Sequence, residues 1–187
     1  MGKSRTLVQI VRHLGEHTLV CAPTGKAVVR LIQEGIEART LHSAMYMQQH
    51  DQIRNLILDE QSMQDIVILA ALLEKLTNLE RIVFVGDPFQ LPSVGPGALL
   101  RDLLACERIS RTRLTTVYRQ EGGLIVENAN RIRRGNTHIR VDESFQRCSF
   151  DPSRVVERFL HTPNATIVAA TNKTVATLNK MIHARIP

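Results

Sequence analysis

Short unbroken apolar runs alternate along the chain with stretches whose apolar residues recur every three or four positions. Residues 18–22 (TLVCA), 56–58 (LIL), 81–85 (RIVFV) and 166–170 (TIVAA) are of the first kind. Runs this short and this rich in Val, Ile and Leu suit parallel strands covered on both faces. Helical spacing marks residues 4–14, 26–34, 64–76, 98–105 and 124–133. Strands alternating with helices of this size predict βαβ units and a doubly wound α/β fold. Residues 135–163 break the pattern with polar clusters, scattered aromatics and Asp-Pro and Thr-Pro steps. They read as a connector with a short helix near 154–160, leading into a second unit.

The length, 187 residues, suggests one domain or one and a fraction. With 43% hydrophobic and 22% charged residues the chain is globular, not disordered. Its 24 Lys and Arg outnumber 18 Asp and Glu, a net charge of +6. That balance suits a polyanionic partner, most simply nucleic acid, and also a soluble domain that is merely basic. Cys21, Cys106 and Cys148 are far apart and form no C-x-x-C pair. A disulfide scaffold or zinc site is therefore not expected, and a reducing, cytoplasmic compartment is. The longest apolar stretch, 66–73, ends at Glu74, too short to span a bilayer. No signal peptide is visible. Gly2 and Thr6 fit the permissive N-myristoylation pattern, which leaves a lipid-anchored reading open.

Chemistry-bearing residues gather where apolar runs end. Gly2-Lys3-Ser4 opens a helical stretch and matches the last three positions of G-x-x-x-x-G-K-[ST]. In that loop backbone N–H groups cradle phosphates, the Lys reaches the β- and γ-phosphates, and the hydroxyl holds Mg²⁺. The bare triplet equally describes an ordinary helix start. Asp59-Glu60 ends the second run. There an Asp can hold a metal-bound water and a Glu can polarise an attacking one, since Mg²⁺ takes one or two carboxylates plus waters and phosphates. Two solvated acids at a strand end are the other reading.

The third run leads into Gly86-Asp87-Pro88-Phe89-Gln90-Leu91-Pro92. A Gln amide there can donate to a phosphate oxygen and accept from a water. The same turn also serves as a plain Gly/Pro turn. Ala22-Pro23-Thr24-Gly25-Lys26-Ala27 lies between a run and a helix start, so an anion should bind. It lacks the upstream Gly and the following Ser or Thr of a phosphate loop, so a DNA backbone phosphate is the expected ligand. Arg119, after the β-like residues 114–117, can reach a γ-phosphate as arginine fingers do. Arg131, Arg133, Arg134 and Arg140 read as a solvated basic face able to touch a nucleic-acid backbone. His42 starts a helical stretch without a second His at metal-ligand spacing. Aromatics at 4% argue against an extended base-stacking platform. Ligands of open parallel sheets sit outside the carboxyl ends of the strands, so one site is expected at that edge.

The order GKS, APTGKA, TLH, LILDEQSM, VFVGDPFQLPSVGPG, LTTVYRQ, NANRIRRG resembles the superfamily 1 DNA helicases of the RecD/TraA type, the phage Dda group included. The resemblance runs from Gly2 to about Gly135 and resumes over 166–182. It implies a RecA-like P-loop NTPase core: a parallel sheet with helices on both faces, lacking the first P-loop strand. Residues 1–120 would be the first motor domain, 121–165 a helix and connector, and 166–187 the beginning of a second RecA-like domain. By position, Gly2, Lys3 and Ser4 would end the Walker A loop. Asp59 would serve Mg²⁺ with Ser4, and Glu60 would be the general base. Gln90 would sense the γ-phosphate, and Arg119 would be the motif IV arginine. Pro23, Thr24, Thr40 and His42 would touch single-stranded DNA.

The resemblance implies ATP and Mg²⁺ as cofactors, single-stranded DNA as track, and travel from 5′ to 3′. Helicase or nuclease subunits are possible partners, and no membrane is implicated. The rest of the Walker A loop, its strand and most of a second motor domain do not appear. The isolated chain is therefore expected to bind ATP poorly and unwind nothing. The alternative is a non-hydrolysing module that holds single-stranded DNA or a partner. Either way DNA binding should fall steeply with salt and show little sequence preference.

Overall fold

The computed structural model describes residues 2–114 and 123–186. They belong to two compact units, Met1–Glu121 and Gly122–Pro187.

The first unit is built on four parallel strands in the order β2-β1-β3-β4. In chain order its elements are α1 (Gly2–Leu14), β1 (Thr18–Ala22), α2 (Gly25–Gln33), β2 (Arg39–Thr40) and α3 (Leu41–Ala44). β3 (Asn55–Leu58), α4 (Ile66–Lys75), β4 (Arg81–Phe84) and α5 (Leu99–Ala105) follow. Side chains alternate across a pleated strand, and here both faces are apolar. Leu19, Cys21, Leu56 and Leu58 point to one side, where they meet Leu41, Ala44, Leu69 and Leu72 of α3 and α4. Val20, Ala22 and Ile57 point to the other, against Leu7 of α1 and Leu31 of α2. Burying each large side chain contributes roughly 1.5–3 kcal/mol. The expected α/β sheet with helices on both faces is what the chain adopts.

Polar bonds fix the register at the amino ends of the strands. Asn55 donates to Thr18 Oγ1 (3.4 Å) and accepts from Arg81 (2.9 Å), tying β1, β3 and β4 together. At the carboxyl ends, backbone bonds prolong the pairing. Asp59 N–H donates to Cys21 O (2.8 Å), Val85 N–H to Leu58 O (2.8 Å) and Gln61 N–H to Val85 O (3.0 Å). The strand order reverses between β1 and β3, since β2 lies to one side of β1 while β3 and β4 lie to the other. A crevice at that reversal is the usual ligand position in open α/β sheets.

The second unit holds α6 (Leu124–Arg133), α7 (Pro152–His161) and α8 (Asn172–His183). Asp151 caps α7 by accepting from Ser153 N–H (2.9 Å), with Pro152 at the first helical position, where no donor is needed. Thr171 caps α8. Val156 and Leu178 are buried between α7 and α8. Asn128 ties α6 to the following loop: its amide donates to Arg140 O (2.7 Å) and accepts from Arg140 N–H (2.9 Å). Residues 166–170, read above as a strand, form none, because no neighbouring strand among the described residues pairs with them. A strand is defined by its ladder, and apolarity alone does not supply one.

Candidate functional site

The site begins with three residues that leave β3. Asp59 is 7% exposed and hangs from Cys21 O through its own N–H. Glu60 takes the left-handed conformation, φ 50° and ψ 41°, which costs an L-residue roughly 1–2 kcal/mol. That turn swings the backbone off the sheet into a single 3-10 turn, Gln61–Met63. Gln61 is 1% exposed, and neither atom of its amide has a partner.

The first turn of α1 meets these acids. Lys3 Nζ lies 3.3 Å from Asp59 Oδ1 and 2.8 Å from Glu60 Oε1. One ammonium thus faces two adjacent carboxylates. Neither contact gives the acids full hydrogen-bond satisfaction: Asp59 Oδ1 has the Lys3 ammonium as an ion-pair partner and no hydrogen bond, and Glu60 Oε2 is buried without a donor. Ser4, also buried, has its hydroxyl engaged from another direction, accepting from Arg30 of α2 (3.3 Å). Gly2 is the first residue of that helix.

The turn after β4 closes on the same edge. Asp87 Oδ1 accepts from Phe89 N–H (3.0 Å) and Asp87 O from Gln90 N–H (3.1 Å), which shapes the loop. Gln90 Oε1 accepts from Ser62 Oγ (3.3 Å), linking this loop to the turn that follows Glu60. Gly86 is required by space: a Cβ there would stand 2.8 Å from Leu100 Cδ2 and 3.2 Å from Gln61 N.

Thr24 and Thr40 are helix caps. Thr24 accepts from Ala27 N–H (3.3 Å) at the start of α2, and Thr40 from Ser43 N–H (3.1 Å) at the start of α3. Pro23 precedes the first cap, and His42 is exposed on α3. Arg119 lies outside the described residues. The structure therefore brings Lys3, Asp59 and Glu60 into contact, with Gln90 reaching the adjacent turn through Ser62. Ser4 adjoins Lys3 in sequence but is bonded to Arg30, and Thr24, Thr40 and His42 make no hydrogen bond or ion pair with the acids.

Sequence reasoning missed two participants. Arg30 carries no motif signal at all. Gln61 had one, being a polar residue directly after two acids at a strand end. Among the described residues no group of three or more His, Cys, Asp or Glu could hold a metal. Two carboxylates and a hydroxyl fit Mg²⁺, which keeps waters and phosphate oxygens as its other ligands. Glu60 Oε2, buried without a donor, and Asp59 Oδ1, met only by the Lys3 ammonium, are what a cation would satisfy. Cys21 takes no part: burial pushes its thiol up to about 12, so it stays protonated and inert.

A family model described as an AAA domain matches residues 2–149. The chain belongs to the AAA-domain family. Its curated relatives include DNA helicase B of Mus musculus, 34% identical over 135 residues, which are 62% of this chain and 13% of that protein. The ATP-dependent RecD2 DNA helicase of Deinococcus radiodurans is 37% identical over 133 residues, 64% of this chain and 18% of that one. This AAA-domain chain thus spans under a fifth of the length of either relative. Among solved structures, Bacteroides Pif1 bound to ssDNA shares the fold. It has a TM-score of 0.61 and 20% identity, covering 100% of this chain and 50% of that one. The resemblance to superfamily 1 helicases of the RecD type, drawn from motif order, is borne out by these relatives. Among the described residues no helix is long and apolar enough to cross a membrane.

Proposed function

We propose that this AAA domain is part of an ATP-dependent DNA helicase motor, working on single-stranded DNA in the 5′ to 3′ direction. The observation that carries the reading is the meeting of Lys3 with Asp59 and Glu60 at the carboxyl end of β3. An ammonium on the first turn of a helix and two acids at the strand-order reversal are the parts that nucleotide hydrolysis requires.

In this reading Lys3 turns to the β- and γ-phosphates, assisted by the free N–H groups of the first turn of α1. Asp59 and Ser4 would hold Mg²⁺, which neutralises phosphate charge. Glu60 accepts a proton from the attacking water, its carboxylate aimed by the left-handed backbone turn. Gln90 donates its amide to a γ-phosphate oxygen, leaving Ser62. Arg119 supplies positive charge to the same group. Pro23, Thr24, Thr40 and His42 contact the DNA strand.

The charge distribution supports a polyanion. Ten of the 24 Lys and Arg, against five of the 18 acids, fall in residues 122–187, so that unit carries most of the net positive charge. Partner helicase or nuclease subunits and a cytoplasmic setting belong to the same proposal.

The test is binding of a fluorescent ATP analogue and of a labelled oligonucleotide to the chain. Nucleotide binding should depend on Mg²⁺ and weaken roughly tenfold or more in Asp59→Ala. DNA binding should fall steeply between low and moderate salt. A chain that binds single-stranded DNA but no nucleotide, with Mg²⁺ present, would overturn the enzyme reading. It would leave the alternative, a non-hydrolysing DNA- or partner-binding module.

A further inference from the structure

We propose that the turn after β3, the start of α4 and the loop after β4 form a docking surface for a cationic amphipathic helix of a partner protein.

Large apolar side chains exposed singly are ordinary, whereas a cluster of them marks an interaction surface. Here five stand on adjacent segments. Met63 lies on the turn after β3, Ile66 and Val67 on the first turn of α4, and Leu91 and Val94 on the loop after β4. All five are exposed, Leu91 at 82% and Val94 wholly. The two segments are pressed together. A Cβ added at Gly95 would stand 2.6 Å from Asp65 Oδ2, and one added at Gly97 would stand 3.7 Å from Ile66 Cγ2. Ser62 Oγ donates to Gln90 Oε1 across the same seam. Pro92 and Pro96 fix the loop backbone further, since the ring locks φ. The apolar side chains are therefore mounted on a shaped surface, which lowers the ordering cost of binding.

Charge decides what kind of partner fits. Residues 59–67 and 86–98 contain four acids, Asp59, Glu60, Asp65 and Asp87, and no Lys, Arg or His. Lys3 meets the first two. Asp65 and Asp87 accept from the backbone N–H groups of Val67 (2.8 Å) and Phe89 (3.0 Å) and make no ion pair among the described residues. A chain of net charge +6 thus surrounds this one apolar patch with acids. Nucleic-acid phosphates are repelled by such a rim, and a second copy docking through the same patch would bring the same acids against it. A helix with an apolar stripe flanked by Lys or Arg satisfies both features: the stripe covers Leu91, Val94 and Val67, and its cations face Asp65 and Asp87.

The test uses the whole chain and a dye-labelled peptide of leucine and lysine placed at helical period, with binding read by fluorescence anisotropy. Wild type should bind it. The pair Leu91→Ser with Val94→Ser should weaken binding at least about tenfold, as loss of central apolar anchors does. The pair Asp65→Asn with Asp87→Asn keeps an oxygen for each backbone N–H and removes only the charge. It should weaken binding several-fold at low salt and less at high salt. The same peptide with glutamate in place of lysine should not bind. These side chains are exposed or half-buried, so urea midpoints should stay near wild type, which separates lost docking from lost folding. Equal affinity in the serine pair overturns the proposal, as does equal binding of the glutamate peptide. Two further outcomes would reassign the patch and also overturn it. One is oligothymidylate binding that the serine pair weakens as strongly, which makes the occupant nucleic acid. The other is a wild-type dimer in sedimentation that the serine pair dissolves, which makes it a second copy.

Discussion

Replacing Gly86 by alanine tests whether the two loops of the site are coupled through packing. The added Cβ would lie 2.8 Å from Leu100 Cδ2, 3.2 Å from Gln61 N and 3.3 Å from Gln61 Cβ. Carbon atoms pack comfortably at about 3.5–4.0 Å, so the first contact must open by most of an ångström. Leu100 is 8% exposed and has little room to rotate, which costs about 0.5–1.5 kcal/mol for an off-rotamer side chain. The Gln61 backbone is pinned by its N–H bond to Val85 O at 3.0 Å, and weakening that bond costs a further 0.5–1.5 kcal/mol or so. Against this, alanine restricts the unfolded chain and stabilises by roughly 0.4–1 kcal/mol. The net expectation is a loss of about 1–2 kcal/mol. Urea unfolding followed by circular dichroism should show a lower midpoint with an unchanged slope. Thermal unfolding should drop by about 3–8 °C. Because Gln61 follows Glu60 directly, a shift of its backbone also moves the acid, and Lys3 should lose contact with it. A Gly86→Ala protein as stable as wild type would refute the packing argument.

Gly25→Ala is the opposite case: it sits at the first position of α2 with nothing within 4 Å of the new methyl, and it should stabilise by about 0.4–1 kcal/mol on urea unfolding. Asn128→Ala should cost about 1–3 kcal/mol and expose the Arg140 amide to faster hydrogen exchange, because both its bonds go to that one residue. Cys148, exposed, should alkylate readily in native protein while buried Cys21 resists, read by mass spectrometry. The Cys21 thiol is raised in the folded state from 9.0 to about 12, so above about pH 9 the unfolded chain loses a proton that the folded one keeps. Stability should therefore fall between about pH 9 and 12, by up to about 1.4 kcal/mol per pH unit, and Cys21→Ala should remove that share. Glu60→Asn should raise the melting temperature by a few degrees, since asparagine tolerates the left-handed turn and carries no charge.

The sheet was legible because its strands are buried on both faces. Cys21, Leu56, Ile57 and Leu58 are all 0% exposed, and burial on both sides leaves an unbroken apolar run in the sequence. β2 was not legible: two residues, Arg39 and Thr40, carry no run, and their place is set by pairing with Cys21 and Ala22. Residues 166–170 failed in the other direction, apolar enough for a strand but without a neighbour. In the candidate site, motif order singles out the acids and Gln90, and the structure sets them on two turns joined through Ser62. The contact of Lys3 with those acids could not be read, since spacing names a residue's usual ligand and not what it touches when that ligand is absent. Arg30 was invisible for a related reason: an arginine in the last turn of a short helix looks like any surface cation.

The three residues after Leu58 each break a rule that the rest of the sheet obeys. Asp59 buries an oxygen that meets only the Lys3 ammonium and makes no hydrogen bond, Glu60 holds a backbone conformation suited to glycine or asparagine, and Gln61 buries an amide with neither atom bonded. Each departure costs on the order of 1–3 kcal/mol. The neighbouring strand residues, wholly buried and fully paired, offset that cost. Stability alone would favour a different choice at every one of the three positions, such as an aliphatic residue at 61 and a glycine at 60. Their concentration in one short turn, at the point where the strand order reverses, therefore points to a ligand that relieves them. A cation satisfies the carboxylate oxygens, and anything that binds the folded state selectively returns its binding free energy as stability. The unpartnered Gln61 amide stands outside that relief, since a cation pairs with oxygens and leaves an amide N–H₂ unmet. Its contribution is to the shape of the turn, which sets where the Glu60 carboxylate emerges.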